Sequence, residues 1–219
     1  MGALAHAIFP GSGSAGLVWQ PAAAELPGAV VLPLPEESSV PAIAAAVRPQ
    51  VQRLPRPRIL IGSSLGALVA LELARRIEVD ALVLIAAGFG IDVHPSVLAR
   101  IAADPPGLLP AMARAVLAPS SPPELAELVA RDFEARGSAA LLHHMQVLAD
   151  HRPEPLPHPP PTFVLAGMED PGVPLGAHAD LAMRCRGVLV PIAGAGHLAY
   201  LEQRAETLRW IAAAGNCLN

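Results

Sequence analysis

Residues Arg58–Arg76 read RILIGSSLGALVALELARR: a short apolar run, the five residues Gly62–Gly66, then ten residues rich in Leu and Ala. A strand that becomes a helix within Gly62-Ser63-Ser64-Leu65-Gly66 brings the two backbones so close that both flanking positions must lack side chains. Ser64 is therefore expected in a strained turn, at the carboxyl end of a strand and the amino end of a helix. There the unpaired N–H groups and the helix dipole favour a developing negative charge. A plain strand–helix turn of small residues would look similar, so the rest of the chain has to supply the partners.

Five other short apolar runs resemble Arg58–Ile61: Leu4–Phe9, Ala29–Leu32, Ala81–Ile85, Thr162–Ala166 and Val188–Ile192. They show little polar alternation and end in Gly, Pro or Ser, as strands covered on both faces of a parallel sheet do. Helical stretches fall between them at Val40–Val47, Leu65–Arg76, Leu175–Cys185 and Tyr200–Ala213. In the last, Leu201, Ala205, Leu208 and Ala212 form an inward stripe, while Glu202, Arg204, Glu206 and Arg209 are expected to face out. The alternation predicts an α/β fold with a mainly parallel sheet.

From Gly90 to Pro157 the strand signal stops. Helices are predicted at Pro95–Ala103, Leu108–Leu117, Pro123–Arg136 (with Gly137 as its stop) and Ser138–Ala149. Such a segment is too long for a simple crossover, so residues 90–157 are read as a helical cap within a single domain spanning 1–219. Pro153–Pro161 has six prolines in nine residues and should return stiffly to the sheet.

Composition removes several classes. Ala supplies 42 of the 219 residues, which explains the high apolar content without a membrane span. Pro10, Gly11, Gly13 and Gly16 interrupt the uncharged start, and no basic residue opens it, so no export signal is read and a cytoplasmic location is expected. The net charge is −4 and all 15 basic residues are Arg without a basic stripe, giving no support for nucleic-acid binding. Cys185 and Cys217 are too few for a disulfide scaffold or a Cys-based zinc site. His143, His144 and His151 lie in the cap without carboxylate or Cys at metal spacing. No metal or cofactor is expected, and the oligomeric state is open.

A base and an orienting acid for Ser64 can come from the later strand ends. Thr162–Ala166 runs into Gly167-Met168-Glu169-Asp170, and Val188–Ile192 into Ala193-Gly194-Ala195-Gly196-His197. His197 would take the Ser64 proton, and Asp170 would fix the imidazole tautomer and stabilise its cation. Asp92, after the fourth strand, is the reserve acid. Glu169 is read as solvated.

With these residues in place the chain resembles the α/β-hydrolase superfamily, in particular small bacterial members with a helical cap. FPGSGSAGLVW, GSSLG, GMEDPGVP and GAGHLAYLEQ correspond to its oxyanion loop, elbow, acid and histidine segments. The resemblance implies the catalytic set Ser64, Asp170 and His197, and an oxyanion hole of the Ser12 and Leu65 N–H groups. It also implies six parallel strands in the order 2-1-3-4-5-6, trimmed of two strands that many members have at the start. Pro10 stands where the family usually has His, Ser63 where it often has His or Tyr, and Arg204 where it usually has Pro.

The expected activity is hydrolysis of an ester or thioester of a small-to-medium, mainly apolar acyl group. A C–C hydrolase or lyase using the same three residues is the alternative, similar to the menaquinone-pathway synthase, although Leu68 stands where that relative has Arg. A catalytically silent ligand-binding member of the fold is the third reading. Arg100 and Arg114 are left open between contact with a charged substrate and solvated helix faces.

Overall fold

The computed structural model describes residues 4–105 and 107–218. Residues 1–3, 106 and 219, which the expected domain and cap also span, lie outside them. Ala5–Phe9 (β1), Ala29–Val31 (β2), Arg58–Ser63 (β3), Ala81–Ile85 (β4), Thr162–Gly167 (β5) and Val188–Ile192 (β6) form one sheet. Every neighbouring pair is parallel, in the order β2-β1-β3-β4-β5-β6. This is the expected order.

Lack of polar alternation follows from burial on both faces. Ala7, Phe9, Leu60, Leu82, Leu84 and Val164 face one apolar cluster, while Ile8, Ile59, Ile61, Val83, Ile85 and Leu165 face the other. Successive side chains point to opposite faces, so a strand sandwiched between helix layers needs apolar residues at every position. The edges are different. β2 has only three residues, and β6 has Val188 and Pro191 exposed.

Helices Gln20–Ala23 (α1), Val40–Gln52 (α2) and Leu65–Ala74 (α3) come before β4; Pro95–Ala103 (α4), Leu108–Ala115 (α5), Pro123–Glu134 (α6) and Gly137–Asp150 (α7) lie between β4 and β5; Leu175–Arg184 (α8), Ala199–Glu202 (α9) and Arg204–Asn216 (α10) follow. α2, α3 and α8 cover the first face of the sheet, and α1, α9 and α10 the second. The four helices between β4 and β5 match the four expected there. Among the described residues, no helix is long and apolar enough to cross a membrane.

Beyond shifts of one or two residues at helix ends, three departures from the sequence reading have a physical cause. α2 continues past Pro49 because Val51 on its inner face is fully buried, which outweighs the donor the proline lacks. Gly137 opens α7 instead of ending α6, turning the chain at φ +83°. The helix expected at Tyr200–Ala213 is split at Gln203 (φ −125°, ψ 55°), whose side-chain amide donates to the Gly194 carbonyl at 3.1 Å.

Candidate active site

β3 and α3 meet as tightly as the sequence requires. A Cβ on Gly62 would stand 2.3 Å from the Gly66 carbonyl oxygen, and one on Gly66 would stand 2.1 Å from that of Phe9. No side chain fits at either place. Ser64, between them, is held at φ 53°, ψ −120°, a region costly for a residue with a Cβ. Its N–H donates to Ile85 O at 2.9 Å and its carbonyl accepts from Ala67 N–H at 2.9 Å, so β4 and α3 together impose the strained conformation.

Loops at the ends of β5 and β6 bring the other two residues together. Asp170 presents both carboxylate oxygens to His197 Nδ1, at 3.0 and 2.9 Å. Asp170 Oδ1 also accepts from the N–H groups of Gly172 (2.8 Å) and Val173 (3.0 Å), which fixes the carboxylate in the turn. Burial works to raise the Asp170 pKa. The hydrogen bond and charge of His197, with the two N–H groups, outweigh it and hold the carboxyl below the usual range. Because Nδ1 faces a carboxylate, it bears the ring proton, and Nε2 is the nitrogen left to accept.

Ser64 and His197 line one cavity of about 420 Å³. No hydrogen bond closes between them. Gly11 and Ser12 form part of the wall, and a Cβ on Gly11 would stand 3.4 Å from Ser64 Cβ. Among the described residues, neither Ser12 N–H nor Leu65 N–H donates to another backbone group. The Leu65 N–H lies in the first turn of α3, where no helical carbonyl is available to it.

Asp92 lies on the cavity wall, but its side chain is 96% exposed and pairs with Arg152 at 2.7 Å, while the His197 ring faces Asp170. Glu169 is exposed. Arg114 donates to the carbonyls of Ser121, Ala118 and Pro119, closing the turn after α5, and Arg100 is exposed; neither lines the cavity. Among the described residues, no three His, Cys, Asp or Glu side chains are grouped as a metal ion would need.

Apolar side chains from the inserted helices form part of the remaining wall, among them Val97, Met112, Val129, Phe133, Leu141 and Met145. Trp19 and Tyr200, both fully buried, stack at 3.7 Å with rings 5° from parallel, and Tyr200 faces the cavity.

Three polar residues take places that the sequence reading did not assign to them. Asp132, fully buried on α6, accepts from Leu17 N–H at 2.7 Å. It shares a helical face with Val129 and Phe133, and a carboxylate inside an apolar stripe is the signal that could have marked it. His144 is buried against Gly13. Glu202, expected to face outward, turns in instead. It accepts from the N–H groups of Gly196 (2.9 Å) and Leu198 (3.2 Å), on either side of His197, and from Ala118 N–H and Ser121 Oγ, both at 2.6 Å. The break at Gln203 frees α9 from the direction of α10 and lets Glu202 point at the histidine loop.

Residues 6–210 match the model of the Alpha/beta hydrolase family. No curated protein matches the chain. Among solved structures, a thermophilic esterase is similar at 23% identity and a TM-score of 0.87, over 98% of this chain and 90% of that one. The type II thioesterase BorB from the borrelidin biosynthetic cluster is similar at 23% identity and a TM-score of 0.74, over 97% and 92%. A 2-hydroxy-6-oxo-6-phenylhexa-2,4-dienoate hydrolase from Rhodococcus sp. is similar at 19% and 0.78, over 98% and 91%. At these identities the likeness is one of fold.

Proposed function

The chain belongs to the alpha/beta hydrolase family, and from that premise we propose that it is a serine hydrolase of esters or thioesters with small-to-medium, mainly apolar acyl groups. The observation behind this reading is the part-buried Asp170–His197 pair opening into the same cavity as a strained Ser64. In the proposed reaction Ser64 Oγ attacks the acyl carbonyl carbon while His197 Nε2 takes its proton. The carbonyl oxygen becomes an oxyanion held by the N–H groups of Ser12 and Leu65. Collapse of the tetrahedral intermediate breaks the bond to the alcohol or thiol, which leaves with the proton from His197. Water, deprotonated by the same imidazole, then hydrolyses the acyl-Ser64 ester. Asp170 keeps the ring oriented and stabilises its cation throughout. The four inserted helices act as the cap.

The acyl preference follows from the wall. Neither Arg100 nor Arg114 lines the cavity, and Val97, Met112, Phe133 and Met145 do. Each buried methylene contributes about 0.8 kcal/mol, so kcat/KM should rise roughly three- to fourfold per carbon from acetyl through butyryl to hexanoyl esters until the cavity is full. An organophosphonate probe should label Ser64, and Ser64→Ala should remove the label. A flat series would overturn the apolar-acyl reading. Labelling without turnover of any ester or thioester would favour the C–C hydrolase or lyase, and ligand binding with no labelled serine would favour a silent binder.

A further inference from the structure

The inserted helices grip the loop after β1 at two buried polar points, on both sides of Ser14. On α7, His144 is fully buried; its Nδ1 accepts from Gly13 N–H at 3.1 Å, and its Nε2 lies 3.2 Å from the Pro35 carbonyl. A backbone N–H only donates and a carbonyl only accepts, so this ring is fixed as the neutral tautomer with its proton on Nε2. One turn earlier on α7, Leu141 presses on the same glycine. A Cβ on Gly13 would meet Leu141 Cδ1 at 2.7 Å and Cβ at 2.8 Å, and Gly13 sits at φ +68°. Only glycine combines that backbone conformation with that closeness of approach. The second point is Asp132 on α6, holding Leu17 N–H.

We propose that His144 is a positioning residue for the oxyanion hole: by accepting the Gly13 N–H it fixes the peptide next to the one that bears the Ser12 N–H. This rests on the reading of Ser12 and Leu65 as the oxyanion donors. Seating α7 on Gly13 then does more than roof the cavity, because the same contact sets the direction of a donor on the far side of the reacting carbonyl. A donor that must meet the oxyanion rather than the ground-state carbonyl is sensitive to small displacements. Substrate binding, governed by the apolar wall, is not.

The contact has a built-in dependence on proton concentration. Protonation would turn Nδ1 into a donor facing the Gly13 N–H, and the bond would be lost. Burial, chiefly, holds the His144 pKa below its usual value; Arg136 and His143 push the same way, while the Pro35 carbonyl and Glu36 oppose.

His144→Phe, which keeps a ring but has no acceptor, should lower kcat on a butyryl ester by about tenfold or more with KM little changed. Affinity for a boronic acid that forms a tetrahedral adduct on Ser64 should fall in parallel with kcat. In His144→Asn the amide oxygen stands near the place of Nδ1, and most of the lost kcat should return. In the wild type, the Gly13 amide resonance should titrate at a pH below about 6.5 and stay still in His144→Asn. That amide titration decides the matter even if His144→Phe fails to fold. A His144→Phe enzyme with wild-type kcat, a His144→Asn enzyme no better than His144→Phe, or a wild-type Gly13 amide unmoved by pH would overturn the proposal. Absence of turnover and of phosphonate labelling in the wild type would defeat the hydrolase reading and this inference with it. Wild-type turnover beside an indifferent His144→Phe defeats this inference alone.

Discussion

In α3 every residue from Leu65 to Leu73 is buried, whereas in α4 only Ile101 is, and in α5 only Leu108 and Ala113. α3 lies under the sheet layer and meets apolar atoms all round. The inserted helices have one inward face, and α4 and α5 share a small cluster with Leu141. Their attachment to the rest of the molecule is correspondingly more polar. Asp132 holds Leu17, His144 holds Gly13, and Glu202 reaches from α9 to Ala118 and Ser121. Apolar burial is strong and non-directional, while buried hydrogen bonds are modest in net energy and strict in geometry. The platform therefore sets where Ser64 and Asp170 stand, while the insertion helps hold His197, whose N–H donates to Val116 O at 2.9 Å, and sets the shape of the space around all three.

The largest effect expected on the platform is chemical. Ser64→Ala should reduce kcat by roughly 10⁴-fold or more while the melting temperature stays close to wild type, measured by steady-state kinetics and thermal unfolding. Comparable ester turnover in the variant would show that the chemistry lies elsewhere.

Asp170→Asn should cost about 10⁴-fold in kcat by disturbing the imidazole tautomer. It should also change how stability depends on pH. A carboxyl held below its usual pKa in the folded state stabilises at pH above its unfolded value, and that contribution is lost as pH falls through the folded value. Urea unfolding should therefore find the wild type more stable than Asp170→Asn near neutrality, with the gap closing below about pH 4. A gap of constant size across the range would contradict the charge argument.

Cavity-forming substitutions test the comparison directly. Leu60→Ala, in β3 between two helix layers, should cost about 4 kcal/mol, and Leu108→Ala in the small insertion cluster about 2 kcal/mol, by equilibrium unfolding. Equal costs would mean that the insertion packs as tightly as the platform.

The smallest effects belong to the arginines. Arg114→Ala loses bonds to three carbonyls in the turn after α5 and should cost about 1 kcal/mol with kcat within twofold. Arg100→Ala should change neither. Loss of activity in either variant would bring back a charged substrate.

How much of this was legible in the sequence divides along the same line. The strands and their order could be read because double burial requires unbroken apolar runs, and Ser64 because the Gly62–Gly66 approach excludes side chains. Asp170 and His197 each follow a readable strand end. Asp132 and His144 were not legible as clasps, because their partners are bare N–H groups 115 and 131 positions away, and a backbone donor leaves no mark in a sequence. Glu202 was misread because helical periodicity carries straight through Gln203, where the chain actually breaks.

The two ends of the sheet bear on how the molecule behaves among copies of itself. An open edge strand offers unpaired N–H and C=O groups to any other strand, the usual route to edge-to-edge aggregation. Here β2 offers only three residues, and β6 includes Pro191, which has no N–H to give. Neither edge can extend a ladder for more than a residue or two. Concentrated solutions of the folded chain should accordingly resist conversion to sheet-rich fibrils, and any self-association should proceed through side-chain surfaces, leaving the sheet at six strands.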